Sequence, residues 1–336
     1  MRIAVYDVAA ESGGALSVLE NYHTHALSDL ENEYLFIVSV AELSDTPSVK
    51  VYRAPQVKRS WLSRAAFDVF KAHKIIGNFK ADEVISLQNT TVPFAKVKQT
   101  VYFHNLLPLQ VCDMRFSLFK EPKLWVYQNI IGRVFIRSLQ KADKVIVQTE
   151  WLARRCINRC DIDASKIRIE KPTTSIATFV HKSKKPTIPT FFYPSSAMHF
   201  KNHEVIFQAC DILSRLGILK YRVLLTLSGN ENARIASLVK DASEKGLPIE
   251  LVGWLKKEEM ANAYASATCL LFPSKLETLG LPLEEAKAFR LSVLAADLEY
   301  SHETLGCYDR AQYFEPDNYQ ELSELMKEVI LDNQKV

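Results

Sequence analysis

The sequence has no run of about 18 or more uncharged apolar residues, so no membrane-spanning helix is expected. The opening MRIAVYDVAA carries one Arg, a short apolar run and Asp7, and reads as a buried first strand rather than a secretory leader. A cytoplasmic protein is expected on that ground. Cysteine is sparse, with residues at 112, 156, 160, 210, 269 and 307. Only Cys156 and Cys160 lie close together, and without a second pair they make poor zinc ligands, so the thiols read as buried or incidental. No G-x-G-x-x-G is present, which removes a dinucleotide fingerprint, and there is no short repeat or low-complexity tract.

What is present fits two domains. The chain has 336 residues, 48% apolar and 24% charged, the composition of a soluble globular protein with enough apolar side chains for two cores. Strand-like segments over residues 2–7, 34–40, 83–87, 100–103 and 144–148 alternate with helical patterns over 15–27, 61–79 and 118–140. In the second of these helices Leu62, Ala66, Val69, Phe70, His73 and Ile76 repeat at helical spacing. The pattern restarts near residue 190, with strands over 190–193, 221–228, 249–252, 268–273 and 292–295. Helices over 203–216, 257–266, 282–289 and 319–331 lie between and after them. The Pro-, Thr-, Ser- and Lys-rich stretch between the halves reads as a linker. The expected organisation is a domain over 1–170, a linker over 171–189 and a domain over 190–336, with the last helix a candidate to cross back to the first domain. Such alternation implies an α/β fold of two Rossmann-like, doubly wound domains that face each other across a ligand cleft outside the carboxyl ends of their strands.

The most informative segment is PSKLETLGLPLEEA, residues 273–286. A strand ends there, a loop carries Glu277 and Gly280, and Pro282 stands in the first turn of a helix, where no N–H is needed. The free N–H groups of that first turn make an anion site suited to a phosphate. Gly280 allows the backbone to approach a ligand. Glu277 and Glu285 are candidates to hold sugar or ribose hydroxyls, since a carboxylate can accept from two neighbouring hydroxyls, and the adjacent Glu284 is equally acidic. A second segment, YPSSAMHFKNHEVI over 193–206, puts Lys201 between a strand and a helix.

Together these segments resemble the family 4 retaining glycosyltransferases of the GT-B fold, also called group 1. The family signature sets two Glu eight positions apart around a Gly-Leu-Pro turn that leads into a Glu-Ala helix. Here Glu277, Gly280-Leu281-Pro282 and Glu285-Ala286 stand in that register. Upstream Val252-Gly253, Tyr264 and Phe272-Pro273-Ser274, and downstream Glu303 and Phe314-Glu315-Pro316-Asp317, extend the likeness. It covers nearly all of residues 190–330 and, more loosely, 1–170. The resemblance implies that Glu277 contacts the transferred sugar, that Glu285 binds the ribose, and that the backbone of Thr278, Leu279, Gly280 and Leu281 binds sugar and phosphate oxygens. It places Gly253 and Trp254 beside the nucleobase, with core packing the other reading of Trp254. Lys201 would neutralise the departing diphosphate. The family often adds an Arg about five positions before this Lys. That position is Ser196 here, with His199 one candidate to replace it. Arg290 likewise stands where the family usually has Gly.

In the first half Gly13 and Gly14 lie between the first strand and first helix, where the resemblance implies close approach of a diphosphate or acceptor. His104 follows an apolar strand in VYFHNLLPL and is implied to be a sugar-binding and catalytic residue, with Asn105 a weaker candidate. Asp161-Ile162-Asp163 spells a metal-binding DxD but lies away from the strand ends and reads as surface acids, so no metal is expected.

Charge is uneven. Residues 50–171 hold 23 Lys/Arg against 10 Asp/Glu. Over 53–80 and 115–141 the cations, Arg115 and Lys120 among them, interleave with Trp61, Phe67, Phe70, Phe79, Phe116, Phe119, Trp125 and Tyr127. Helices of this kind can lie on an anionic bilayer, which suits a lipid-linked acceptor. The other reading is solvated helix faces over core aromatics. No nucleic-acid motif accompanies the charge. The expected function is retaining transfer of a hexose-type sugar from UDP- or GDP-sugar to a glycan or polyprenyl-linked glycan in cell-surface polysaccharide synthesis, with no further cofactor, on the inner face of the plasma membrane. The rivals are an epimerase or glycoside phosphorylase on the same fold, or a non-catalytic sugar-binding protein.

Overall fold

A computed structural model describes residues 1–11, 13–109, 116–119, 121–172 and 186–334. The chain divides into two units, Met1–Thr173 and Thr174–Val336. Most of the linker stretch, together with Cys112, Arg115 and Lys120, lies outside the described residues.

Among its described residues the first unit holds seven strands: β1 (Arg2–Asp7), β2 (Glu33–Val38), β3 (Val49–Arg53), β4 (Glu83–Ser86), β5 (Lys98–Phe103), β6 (Lys144–Val147) and β7 (Ile167–Ile169). All pair in parallel, in the order β3-β2-β1-β4-β5-β6-β7. Its helices are α1 (Gly13–Ser28), α2 (Trp61–Phe70), α3 (Ala72–Asn78), α4 (Pro122–Val126), α5 (Gly132–Lys141) and α6 (Glu150–Cys160). The second unit repeats the plan with β8 (Thr190–Tyr193), β9 (Arg222–Leu225), β10 (Ile249–Leu251), β11 (Cys269–Phe272), β12 (Ser292–Ala296) and β13 (Ala311–Phe314). These are also parallel, in the order β10-β9-β8-β11-β12-β13. Its helices are α7 (His203–Arg215), α8 (Ala233–Glu244), α9 (Lys257–Ala265), α10 (Leu281–Ala288), α11 (Glu299–Leu305) and α12 (Tyr319–Gln334). The closing helix α12 packs on α7 and on β12 and β13.

In each sheet the first strand in sequence lies inside, and the strand order reverses beside it, between β1 and β4 and between β8 and β11. Loops leaving the carboxyl ends at such a reversal diverge to opposite faces and leave a crevice for a ligand. The strands that flank the reversal in the second unit, TFFY and CLLF, are buried at every position, as strands covered by helices on both faces must be. Each fully buried Phe there contributes on the order of 2–3 kcal/mol of burial free energy.

The structure departs from the periodicity in three places. The helix expected over 61–79 breaks at Lys71, and its buried face is Phe67, Ala72 and Ile76, while Leu62 (82% exposed), Ala66 and Phe70 face solvent. The run over 118–140 contains a π turn, Tyr127–Ile131, that joins α4 to α5. Just beyond it a Cβ on Gly132 would sit 3.0 Å from Pro108 Cβ, so the close approach there needs glycine. Strands β3 and β13 and helices α8 and α11 have no counterpart in the expected pattern. The two strands lie at sheet edges and are only partly buried, and α8 buries only Ile235 and Ala242. Arg290 adopts φ 56°, the left-handed conformation that glycine takes more easily, so the helix-to-strand turn keeps its shape at a cost in strain.

Candidate functional site

The loops after β8 and β11 carry Lys201 and Glu277, and they are tied to each other. The Phe200 carbonyl accepts the Lys275 N–H at 2.8 Å and the Ser274 hydroxyl at 3.4 Å. The Tyr193 hydroxyl donates to the Lys201 carbonyl at 2.8 Å. Asn202, left-handed at φ 55°, donates its side-chain amide to the Pro316 carbonyl at 2.6 Å. With its backbone held in this way, Lys201 forms an ion pair with Glu277. The two side chains are only 16% and 15% exposed, so each charge lies in a poorly solvated place and depends on the other. Seventy-six positions separate them in the chain, and the β8–β11 pairing brings them together.

Glu277 leads into the start of α10. Gly280 caps that helix at φ 76°, and a Cβ there would meet Phe272 Cε1 at 3.1 Å and Leu283 Cδ1 at 3.2 Å. Glycine is therefore favoured here by backbone conformation and by close packing on Phe272 and Leu283. Thr278 and Leu281 are half-buried. Leu279 is buried, and its carbonyl accepts the Thr304 hydroxyl at 2.5 Å, so this residue anchors the loop from below. Pro282 occupies the first turn.

The structure separates the adjacent glutamates. Glu284 pairs with Lys287 at 2.9 Å, one turn along the same helix. Glu285 turns to α9, where the Tyr264 hydroxyl donates to its Oε2 at 2.6 Å. Burial pushes the Glu285 carboxyl upward, and the Tyr264 bond works against that rise. Tyr264 is fixed by stacking on Phe289 at 5.4 Å and by an edge contact with Phe192 at 5.0 Å. Trp254 is 76% exposed, so core packing does not account for it, and the Gly253 N–H before it donates to the Leu227 carbonyl at 3.1 Å.

Ser196 and His199 are exposed. The cation that does reach this loop is Arg234 of α8. It donates to the Ala197 carbonyl at 2.8 Å and to Glu204 at 2.6 Å. No spacing signal in the sequence points to it, because it arrives from a different element. Beneath the loop, His203 is buried and shares a 2.9 Å hydrogen bond with the Ser195 hydroxyl, and burial pulls its imidazole down to about 4.

In the first unit Gly13 opens α1 at φ 62°, a conformation glycine accepts, and Gly14 follows it within the helix. The half-buried His104 lies just past β5, and its N–H donates to Asn89 Oδ1 at 2.8 Å. Its ring lies 5.9 Å from that of Tyr102, and Nδ1 is buried with no partner among the described residues. Burial pulls this imidazole down to about 4, so it is neutral at neutral pH. Asn105 instead shapes the loop, accepting the Leu107 N–H at 3.0 Å. Asp7, at the end of β1, escaped the sequence reading. It is 1% exposed, and its Oδ1 accepts the N–H groups of Ala9 and Ala10, each at 3.0 Å. Asp161 and Asp163 have local roles: Asp161 ends α6 in the left-handed conformation, and Asp163 caps the short turn after it.

Residues 176–336 match the family model described as glycosyl transferases group 1. A D-inositol 3-phosphate glycosyltransferase of Mycolicibacterium smegmatis is 28% identical over 166 residues, which are 47% of this chain and 38% of that protein. The sulfoquinovosyl transferase SQD2 of Arabidopsis thaliana is 26% identical over 203 residues, 58% of this chain and 37% of that protein. The chain thus spans well under half the length of the curated relatives it matches. Among solved structures, a sucrose-phosphate synthase of Thermosynechococcus elongatus superposes with a TM-score of 0.77 at 15% identity, covering 99% of this chain and 90% of that one. HepE of Anabaena, solved with UDP and glucose, gives 0.73 at 15% identity over 100% of this chain and 91% of that one. The second unit thus matches the group 1 glycosyltransferase family model, and the chain with its two Rossmann-like units has the GT-B fold of these solved structures.

Proposed function

We propose that this protein transfers a hexose-type sugar from a nucleoside diphosphate to a hydroxyl of a glycan or lipid-linked glycan acceptor, with retention at the anomeric carbon. The observation that carries the reading is the half-buried Lys201–Glu277 ion pair beside the start of α10. A cation, a carboxylate and the free amides of a helix start stand together at the strand reversal. That set suits a sugar attached to a diphosphate. Lys201 and the α10 amides take up the charge that grows on the leaving diphosphate. Glu277 binds hydroxyls of the transferred sugar, and Glu285, oriented by Tyr264, binds the ribose. Trp254 offers an exposed aromatic face to the base. The donor is a uridine or guanosine diphosphate sugar, the former favoured by the UDP and glucose held by HepE.

In the transfer, the bond from the anomeric carbon to the diphosphate oxygen breaks as a bond to the acceptor oxygen forms on the same face. The acceptor's proton passes to a phosphate oxygen, and the nucleoside diphosphate leaves. His104, neutral and half-buried, serves the sugar as a hydrogen-bonding group. A peripheral place on an anionic membrane is supported by Trp61, Leu62, Phe70 and Phe119, all exposed, near Lys58, Arg59, Lys71 and Lys123. The role proposed is cell-surface polysaccharide synthesis in the cytoplasm.

Thermal unfolding in the presence of UDP, GDP and their sugars, followed by turnover assays on the donor that stabilises most, tests this. A donor-specific rise in unfolding temperature and sugar transfer lost in Glu277→Ala and Lys201→Ala are expected. Epimerised donor, sugar phosphate formed with inorganic phosphate, or donor binding unchanged in both variants would sink the reading.

A further inference from the structure

We propose that Arg234 is a positioning residue for Lys201: from α8 it clamps the Ala197 carbonyl and so holds the loop over 194–201 in the shape that presents Lys201 to the donor diphosphate. This rests on the glycosyl-transfer reading and adds a residue that acts through the loop backbone rather than on the donor.

The loop is fastened at its start, middle and end. At the start the Ser195 N–H donates to Thr226 Oγ1 at 2.9 Å, just past β9. At the end the Phe200 carbonyl accepts the Lys275 N–H and the Lys201 carbonyl accepts the Tyr193 hydroxyl, each at 2.8 Å. Between them Ser196, Met198 and His199 are exposed. Among the described residues, the hydrogen bonds from 196–199 to other elements run through the Ala197 carbonyl. It accepts from Arg234 Nη2 at 2.8 Å and from Asn232 Nδ2 at 3.1 Å. Both donors belong to the start of α8, where Asn232 caps the helix by accepting the Ile235 N–H at 3.0 Å and Arg234 lies in the first turn.

Pairing with Glu204 does not by itself account for an arginine. Nη1 donates to Glu204 Oε1 at 2.6 Å while Nη2 reaches Ala197. A lysine would answer the Glu204 charge with one compact ammonium. Two acceptors on separate elements, α7 and the loop, call for the planar fork of a guanidinium. A charged donor on the Ala197 carbonyl also makes the stronger kind of hydrogen bond. Burial pushes the Glu204 carboxyl up, yet the Arg234 hydrogen bond leads the contributions that carry it below its ordinary value. Glu204 therefore stays ionised and holds the fork in place.

Arg234 and Lys201 act on the same neighbours. His203 lies beneath the loop, sharing a hydrogen bond with the Ser195 hydroxyl. Burial does most to pull its imidazole down, Arg234 comes next, and Lys201 adds to the fall. Tyr193, which holds the Lys201 carbonyl, is pushed up by burial and by Glu277, while Arg234 works the other way. Ala197 joins the short turn His199–Lys201 through Met198 alone, so little chain is left to absorb a displacement at Ala197 before it reaches Lys201. A misplacement of about 1 Å in a catalytic group can cost about a hundredfold in rate.

Release of nucleoside diphosphate from UDP-glucose and GDP-mannose to water, followed on the full chain without acceptor, gives kcat and the donor KM. Arg234→Ala is expected to lower kcat about tenfold with a smaller change in KM, because Lys201 serves the charge that grows as the diphosphate leaves. Arg234→Lys should fall between this variant and the wild type. Amide hydrogen exchange reads the loop directly. The Lys201 and Asn202 N–H groups, which donate to the Met198 and His199 carbonyls at 3.0 Å each, should exchange faster in Arg234→Ala. Glu204→Gln still accepts from Arg234 and should keep kcat near the wild-type value. Combining Arg234→Ala with Glu204→Gln separates positioning from charge pairing, and it carries the test if Arg234→Ala alone does not fold. The double variant should regain unfolding temperature but not kcat. Recovery of kcat along with stability in the double variant, or unchanged loop exchange in Arg234→Ala, overturns the proposal. Wild-type turnover that Arg234→Ala leaves intact overturns the Arg234 assignment alone, whereas a wild type that neither binds nor cleaves either donor counts against the transferase reading itself.

Discussion

Lys201 and Glu277 form a half-buried ion pair whose members, on the proposed function, would serve the donor separately. Removing one partner leaves the other charge in a poorly solvated place, at a cost of about 3–5 kcal/mol. Glu277→Leu should therefore destabilise the chain strongly, and adding Lys201→Met should restore most of the loss. Chemical denaturation of the two singles and the double checks this, and additive losses would show that the ion pair has no structural weight. His203 gives a pH signature. Its folded-state pKa lies near 4, below the ordinary 6.5, so the unfolded chain takes up a proton first as pH falls. Its contribution is intact above pH 6.5 and is lost progressively down to about 4, on the order of 3 kcal/mol in all. Compared with His203→Gln, the wild type should lose more stability between pH 7 and pH 4.5. Asp7 runs the other way. Its pKa is raised by burial from 3.8 to about 6, so the ionised form lowers stability above that value. Asp7→Asn is expected to raise the unfolding temperature at pH 7.5 and to have less effect near pH 4.

At the scale of elements, two turns carry opposite expectations. Gly280→Ala places a Cβ at φ 76° and within 3.1 Å of the Phe272 ring, and should cost about 1–3 kcal/mol together with nucleotide affinity. Arg290→Gly relieves a left-handed residue and should stabilise by about 1 kcal/mol. Unfolding midpoints of both variants decide the matter, and equal shifts would rule out backbone strain as the cause. The α10 site was readable beforehand because its residues are close in sequence: Glu277, Gly280, Pro282 and Glu285 fall within one loop and one helical turn. Lys201 was readable because a strand and a helix visibly flank it. What lay beyond reading depends on distant neighbours. Glu284 and Glu285 look alike until Lys287 takes one and Tyr264 the other. Leu62 and Phe70 obey helical spacing, yet nothing in the spacing tells that the sheet is met by Phe67 instead. Arg234 matters through partners on other elements, and Asp7 through a depth of burial that no local pattern announces. The edge strands β3 and β13 are too little buried to show a strand's apolar run.

At the scale of the whole chain, the surplus of positive charge lies in the first unit, and exposed apolar side chains lie among those cations. Trp61 meets Tyr127 at 5.7 Å between ring centroids, so α2 and the π turn share one surface, and Phe119 is 95% exposed. Binding to vesicles containing phosphatidylserine is expected at low salt and should weaken severalfold by 0.5 M salt, where screening is short-ranged. Trp61→Ser combined with Leu62→Ser should reduce it further, and sedimentation that ignores salt and both substitutions would remove the membrane from the account. The pairing of β8 with β11 has a kinetic meaning as well. It joins Lys201 to Glu277 across a long stretch of chain, and contacts of such separation form slowly because loop closure must precede them. A partly folded second unit that has its helices but lacks this pairing cannot form the proposed donor site. On the proposed function nucleotide would recognise only the finished unit, and its presence during refolding is expected to draw the population toward that state by mass action.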